Sequence, residues 1–144
     1  MCFGYEIVKK LVYPASLAET SNLELRIILQ KAFPDAQLIL SDLHFHLTDL
    51  TEAQRFCTET KVSTWTYVPE NHDCENFSYA LMGRWSEAAW SFAFGIAHSN
   101  VHAFNWLVDC ERNVWIVEPQ TNKFLTIEEA KLDNQYCPVK LIMC

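Results

Sequence analysis

Apolar and polar positions recur with two different periods along the chain. Between residues 21 and 33, apolar side chains return every three or four positions, which is the spacing of one face of a helix. Ser21 with Glu24 three residues later forms a capping box at the start of this segment. Pro34 follows its end, and proline cannot continue a helix. The pattern therefore predicts a first helix over residues 21–33.

One strand and two further helices are predicted between residues 37 and 83. The run QLILSDLHFHL (37–47) alternates apolar residues with histidines at its end and predicts a strand. Asp49, with Glu52 three residues on, caps a second helix in the segment LTEAQRFCTET (50–60). A third helix begins near Asp73 or Cys74, and we expect it to stop at Gly83, a residue suited to a left-handed C-terminal cap.

The period shortens to two after Ser86. Three strand-like runs, at 90–97, 101–108 and 113–119, are separated by the short polar segments HSN and DCERN. This arrangement is typical of an antiparallel meander, with DCERN as a solvated hairpin turn. A helical turn at TIEEAK and a last apolar run PVKLIM follow. The predicted fold class is α+β, with the Cys74 helix packed against an antiparallel sheet.

The number of loop residues in the DCERN hairpin, odd or even, decides which polar residues meet on one face of the sheet. His102 lies on the same face of its strand as Phe104 and Trp106. If the DCERN hairpin closes with an odd number of loop residues, His102 and Glu118 or Gln120 lie on one face, opposite each other or one diagonal apart. An even loop would place them on opposite faces.

Composition limits the function classes. The chain has 144 residues, half of them hydrophobic, which predicts a single globular domain over residues 1–144. Its formal charge is −7. Its few basic residues are scattered, so we expect no nucleic-acid partner. No stretch of about 18 apolar residues is present, so we expect no membrane partner. The N-terminal segment MCFGYEIVKKLVYPAS lacks a basic region followed by a continuous apolar run, which favours a cytoplasmic location.

The six cysteines are dispersed and form no C-x-x-C pair, so free thiols are expected rather than a disulfide framework. Removal of Met1 would expose Cys2 as an N-terminal nucleophile, although only its position supports this. His44 and His46 would face one side of a strand and form a weak zinc motif with Cys57 or His72. A solvent-facing strand edge explains the two histidines equally well. The five tryptophans are assigned to sheet packing by default.

One set of residues carries more specific chemistry. A thiol at a helix N-terminus, an imidazole and a carboxylate are the parts of an activated cysteine nucleophile. Cys74, His102 and Glu118 supply these groups, although buried cysteines and hydrogen-bonded histidines are also common in cores. The backbone N–H of Cys74, with Asn71 or Gln120 as a second donor, would form an oxyanion hole.

Three sequence blocks resemble a known family. DCENF (73–77), HAFNWLVD (102–109) and VWIVEPQT (114–121) resemble, in order and context, the cysteine-peptidase-like C-terminal domain of the Marasmius oreades agglutinin and related lectins. Similar small proteins occur in bacteria and phages. The resemblance implies a papain-like fold in which Cys74 is the nucleophile, His102 the general base and Glu118 the residue that orients the histidine.

The resemblance has limits. The family includes calcium-activated members, which implies calcium as a possible cofactor. Calcium sites use clustered acidic side chains, but the segment after Cys74 reads Glu75-Asn76 and so has one acidic residue instead of two. The metal ligands therefore stay unknown. The chain also lacks a recognisable β-trefoil sugar-binding domain.

Two functions follow as hypotheses. The first is a papain-like cysteine hydrolase, a peptidase or amidase acting on a peptide or protein substrate. The alternative is a non-catalytic binding or adaptor domain of the same fold, possibly phage-encoded and then located in the host cytoplasm, that holds a partner in the cleft or on a tryptophan-rich surface.

Overall fold

The computed structural model describes residues 10–144; Cys2 lies outside this range, so the N-terminal nucleophile stays a prediction. The strands are β1 (Ala18–Ser21), β2 (Gln37–Ile39), β3 (His44–Leu47), β4 (Phe94–His98), β5 (Ala103–Val108), β6 (Val114–Glu118), β7 (Lys123–Thr126) and β8 (Leu141–Met143). The α-helices are α1 (Asn22–Ala32), α2 (Leu50–Glu59), α3 (Cys74–Ser86) and α4 (Ile127–Ala130).

Six of the strands form one sheet in the order β2-β8-β4-β5-β6-β7. Strands β4 to β7 pair antiparallel with their chain neighbours, which confirms the predicted meander and extends it by β7. Strand β8 pairs antiparallel with β4 and parallel with β2, while β1 and β3 form a separate antiparallel pair. The α+β class predicted from the sequence is confirmed.

Strand β5 is buried on both faces, and each face packs in a different core cluster. Phe104 and Trp106 point into a cluster that includes Leu25 and Leu29 of α1. On the other face, Leu107 packs in a cluster built from α2 and α3. Because β5 is covered on both sides, all six of its residues are buried, and the start of the strand is held in one position relative to α3.

The predicted N-terminal caps of the first two helices are present. Ser21 Oγ accepts the backbone N–H of Glu24 at 3.1 Å. Asp49 Oδ1 accepts the backbone N–H of Glu52 at 2.7 Å. Each bond satisfies a helix-terminal N–H that has no partner within the helix, so these boundaries follow from local sequence.

The predicted end of α3 at Gly83 is wrong, because the helix continues to Ser86. No glycine in residues 10–144 has a positive φ, so Gly83 does not form a left-handed cap. The additional turn buries Trp85, whose ring stacks on Phe94 with centroids 4.5 Å apart and meets Phe56 edge to face at 5.0 Å. Burial of this large aromatic side chain favours helix over the local termination signal.

The hairpin between β5 and β6 is only partly the solvated turn that was expected. Asp109 is buried, and its carboxylate accepts the backbone N–H groups of Glu111 and Asn113, both at 2.9 Å. It also accepts Nε1–H of Trp115 at 2.8 Å. The first residue of the turn is therefore a structural acceptor that shapes the hairpin.

Alkaline pH is expected to destabilise the fold through Cys57. Burial raises the pKa of this thiol to about 12. Above about pH 9 the unfolded thiol loses its proton while the folded thiol keeps it. The free energy of unfolding therefore falls as pH rises from about 9 through about 12, by roughly 1.4 kcal/mol per pH unit.

Urea unfolding of the wild type and of Cys57→Ala between pH 8 and pH 11 tests this linkage. We expect a shallower pH dependence in the variant, whatever its absolute stability. Equal slopes for the two proteins above pH 9 would contradict the assignment.

Candidate functional site

A cleft lies at the N-terminus of α3. It has a volume of about 220 Å³ and is lined by Cys74 and Glu75 from the helix and by residues 98–103, which run from the end of β4 to the start of β5. Cys74 is the first residue of α3, so the helix start faces this space. We call it the Cys74 cleft. Cys74 and His102 line it together, as their predicted pairing requires.

The imidazole of His102 is held by a buried carboxylate. Its Nε2 lies 2.7 Å from Oε2 of Glu118, and both side chains are about nine-tenths buried. The same Oε2 accepts the hydroxyl of Tyr136 at 3.0 Å, and Oε1 accepts the backbone N–H of Gln120 at 3.1 Å. Glu118 thus accepts three hydrogen bonds and is a satisfied buried acceptor.

Strand register brings these groups together. Asn105 lies opposite Val117, and the loop between β5 and β6 contains five residues, 109–113. This odd loop gives the parity that places His102 and Glu118 on one sheet face, one diagonal apart. The conditional prediction made from the sequence is confirmed for this pair.

The hydrogen bond to Glu118 sets the tautomer of His102. An ionised carboxylate only accepts, so Nε2 of the imidazole carries the proton and donates it. In a neutral ring, Nδ1 is then an acceptor, and it has no hydrogen-bond partner within residues 10–144. No hydrogen bond joins Sγ of Cys74 to His102 in this part of the chain. The cleft therefore presents an oriented imidazole beside an unengaged thiol.

Tyr136 belongs to this network, although no sequence signal indicates it. Its ring meets His102 edge to face, with centroids 5.7 Å apart, and packs in the same way on Phe104 at 5.1 Å. Burial, and then the nearby charge of Glu118, raise the pKa of Tyr136. Its hydroxyl therefore keeps its proton and remains a donor to Glu118.

The two side chains predicted as oxyanion donors lie elsewhere. Nδ2 of Asn71 donates to the carbonyl of Pro69 at 3.2 Å, within its own loop. Gln120 contributes its backbone N–H to Glu118. Neither residue lines the Cys74 cleft. At the helix start, Oδ1 of Asn76 accepts the backbone N–H of Asp73 at 3.1 Å and stabilises this terminus.

The structure assembles no metal site from the candidates. Residues 10–144 contain no group of three or more His, Cys, Asp or Glu side chains that could hold an ion. Nδ1 of His46 lies 2.7 Å from Oγ of Ser16, so this histidine of the H-x-H pair has a protein partner. Near the cleft, Oδ1 of Asn76 is engaged at the helix cap. Calcium dependence stays a prediction.

The fold resembles that of a known lectin. One similar structure is a complex of PSL1a with E64, and another is the Polyporus squamosus lectin bound to Neu5Acα2-6Galβ1-4GlcNAc, described as a human-type influenza-binding epitope. Both match with a TM-score of 0.70 and 16% identity over 88% of this chain. The chain spans 50% and 49% of the two lectin chains, about half their length. No family model and no curated protein matches the sequence.

This comparison corrects the leading functional prediction. The matching structures are those of a lectin, a sugar-binding protein, and they contradict the hypothesis of a cysteine hydrolase acting on peptides. A relation to lectins is confirmed at the level of the fold, whereas a papain-like peptidase is not. The alternative prediction, a non-catalytic binding domain, agrees better with the finding. No helix within residues 10–144 has the length and apolar character needed to cross a membrane.

Proposed function

We propose that this protein is a non-catalytic binding domain that holds a saccharide in the Cys74 cleft. The observation that carries the proposal is the oriented His102 imidazole, which lines a small polar cleft and has a free ring nitrogen. The lectin fold supports a binding role, and the ligand of one matching lectin suggests the class of ligand to test first.

The lining of the cleft suits a hydroxyl-rich ligand. Glu75, Asn100 and His102 offer carboxylate, amide and imidazole groups within one cavity of about 220 Å³. Sugar hydroxyls both donate and accept, so they can satisfy groups of each kind. The small volume favours contact with one sugar unit at a time, with the remainder of a longer glycan outside.

The buried network prepares this site for binding. Glu118 and Tyr136 hold His102 in one orientation before any ligand arrives. A side chain that is already ordered loses less conformational entropy when a ligand binds, so more of the interaction energy contributes to affinity. The thiol of Cys74 acts in this proposal as a wall of the cleft.

Replacing His102 with alanine is expected to weaken saccharide binding about tenfold or more, because a lost hydrogen bond inside a desolvated site costs about 1.4 kcal/mol. Isothermal titration and saturation-transfer NMR with Neu5Acα2-6Galβ1-4GlcNAc measure the effect. His44→Ala is the matched control, since this histidine is exposed on β3 and outside the cleft. The control should bind like the wild type.

The fate of the ligand provides a second measurement. Mass spectrometry of the trisaccharide after prolonged incubation should recover it intact, as expected for a binding domain. Absence of binding to the wild type, equal binding by His102→Ala, or a cleaved ligand would each overturn the proposal.

A further inference from the structure

A second cavity lies at the other end of α3. It encloses about 250 Å³, and its lining includes Trp85 and Ser86 of the helix, Trp90 and Ser91 of the segment that leads to β4, and Asp42. Ser86 is twelve residues after Cys74, so the helix separates the two sites by about 18 Å. We call this cavity the Trp90 pocket. It shares no lining residue with the Cys74 cleft.

Trp90 is the most exposed of the five tryptophans. Its relative exposure is 52%, whereas Trp85 beside it is almost fully buried. Packing of the sheet explains Trp106 and Trp85, but an indole held half in water contributes little to a core. Exposed aromatic surface in a pocket with polar groups is typical of a ligand site.

The position of Trp90 is well defined by its neighbours. Its ring lies against His46 with centroids 4.7 Å apart. The backbone N–H of His46 donates to the carbonyl of Ser91 at 2.7 Å, and the N–H of Ala93 donates to the carbonyl of His46 at 2.9 Å. Ser16 in turn holds the imidazole of His46. The indole is therefore presented from a segment anchored to β3, which lowers the entropy lost on binding.

Unengaged polar groups also line this pocket. Within residues 10–144, the carboxylate of Asp42 and the hydroxyl of Ser91 make no side-chain hydrogen bond or ion pair. Oγ of Ser86 donates to the carbonyl of Gly83 at 2.8 Å and keeps its lone pairs as acceptors. The pocket thus combines one aromatic platform with groups that can bind hydroxyls.

We propose that the Trp90 pocket binds a single pyranose ring. The C–H groups on one face of a sugar carry partial positive charge and fit the negative face of an indole, while its hydroxyls donate to Asp42 and exchange hydrogen bonds with the two serines. The site is separate from the Cys74 cleft and does not depend on ligand binding there. Together the two sites would let one domain contact two units of a glycan.

Two other ligand classes fit the pocket less well. A quaternary ammonium group needs several open aromatic faces around it, but Trp85 stacks on Phe94 and meets Phe92 edge to face, so its ring is already engaged. A nucleotide would bring phosphate next to Asp42 on a chain of net charge −7. A neutral sugar ring avoids both conflicts.

Titration of the wild type with the methyl pyranosides of galactose, mannose and N-acetylglucosamine tests the proposal by NMR of the indole N–H signals. We expect at least one glycoside to shift the Trp90 signal. Binding to the variants is measured from the backbone N–H signals of the pocket, such as that of Ser91. Trp90→Ala should weaken binding of that glycoside at least tenfold, and Trp90→Phe, which keeps an aromatic face, should retain part of the affinity. Trp65→Ala is the matched control, because Trp65 is also exposed but lies outside the pocket.

The outcome separates this site from the first one. His102→Ala should leave glycoside binding in the Trp90 pocket unchanged, although it weakens binding in the Cys74 cleft. Failure of one proposed site can therefore be distinguished from failure of the other. The proposal is overturned if no glycoside shifts the Trp90 signal, if Trp90→Ala binds like the wild type, or if choline, titrated as a comparison, shifts that signal where the glycosides do not.

Discussion

Replacing Glu118 with alanine is expected to lower the free energy of unfolding by about 2–4 kcal/mol and to abolish the fixed orientation of His102. The variant leaves three donors without their acceptor: the imidazole of His102, the hydroxyl of Tyr136 and the backbone N–H of Gln120. Each buried donor that loses its partner costs about 1–3 kcal/mol unless water reaches it. Nothing else in this network replaces the carboxylate.

Two milder variants serve as controls. Glu118→Gln keeps one acceptor oxygen and the side-chain volume, so we expect a smaller loss of stability. Tyr136→Phe removes one hydrogen bond together with its donor, and we expect a cost of about 0.5–1.5 kcal/mol. Denaturant unfolding measures the stability of each variant.

NMR of ¹⁵N-labelled imidazole reports the tautomer of His102. In the wild type and in Tyr136→Phe it should show a proton at Nε2, whereas Glu118→Ala should show a mixture of tautomers. A single Nε2–H tautomer in Glu118→Ala would contradict the role of the carboxylate, and wild-type stability of that variant would contradict the buried network.

Replacing Gly95 with alanine is expected to destabilise the protein by about 2–3 kcal/mol or more. Gly95 lies in β4 opposite Trp106, and a Cβ at this position would collide with the backbone carbonyl of Met143 and approach Nε1 of Trp106. The carbonyl belongs to β8, whose pairing with β4 cannot move without loss of hydrogen bonds. Overpacking against a rigid neighbour typically costs this much.

Gly83→Ala is the matched control. A Cβ at Gly83 meets nothing within 4 Å, and the residue lies inside α3 with an ordinary helical conformation. Alanine there should raise stability by about 0.5–1 kcal/mol, because glycine is a poor helix former. Thermal unfolding of both variants measures the two effects, and a Gly95→Ala protein as stable as Gly83→Ala would refute the close approach of β8.

Local patterns predict much of the secondary structure. The caps at Ser21 and Asp49 form as expected, since each bond joins residues three positions apart in the chain. The meander also forms, because short polar turns leave neighbouring strands no other partners within reach. The shared face of His102 and Glu118 is predicted only on the condition of an odd loop, and the structure supplies that condition with a loop of five residues. These features depend on contacts between residues that are close in sequence.

The remaining features depend on contacts between distant segments, for which the chain carries no local signal. Tyr136 reaches Glu118 across 18 positions, and burial of Trp85 against Phe56 of α2 overrides the stop signal at Gly83. Trp90 opens the apolar run that predicts the first strand of the meander, yet that strand begins only at Phe94 and Trp90 lies half in water. The sequence supplies a thiol and an imidazole that line one cleft and a carboxylate that holds the imidazole. Their likeness to a peptidase triad does not establish a reaction, and the fold matches about half of a lectin chain. The sequence by itself determines which chemical groups the chain carries. Which of them are buried, and which stay exposed to a ligand, is decided only by tertiary packing, because it depends on contacts between distant segments.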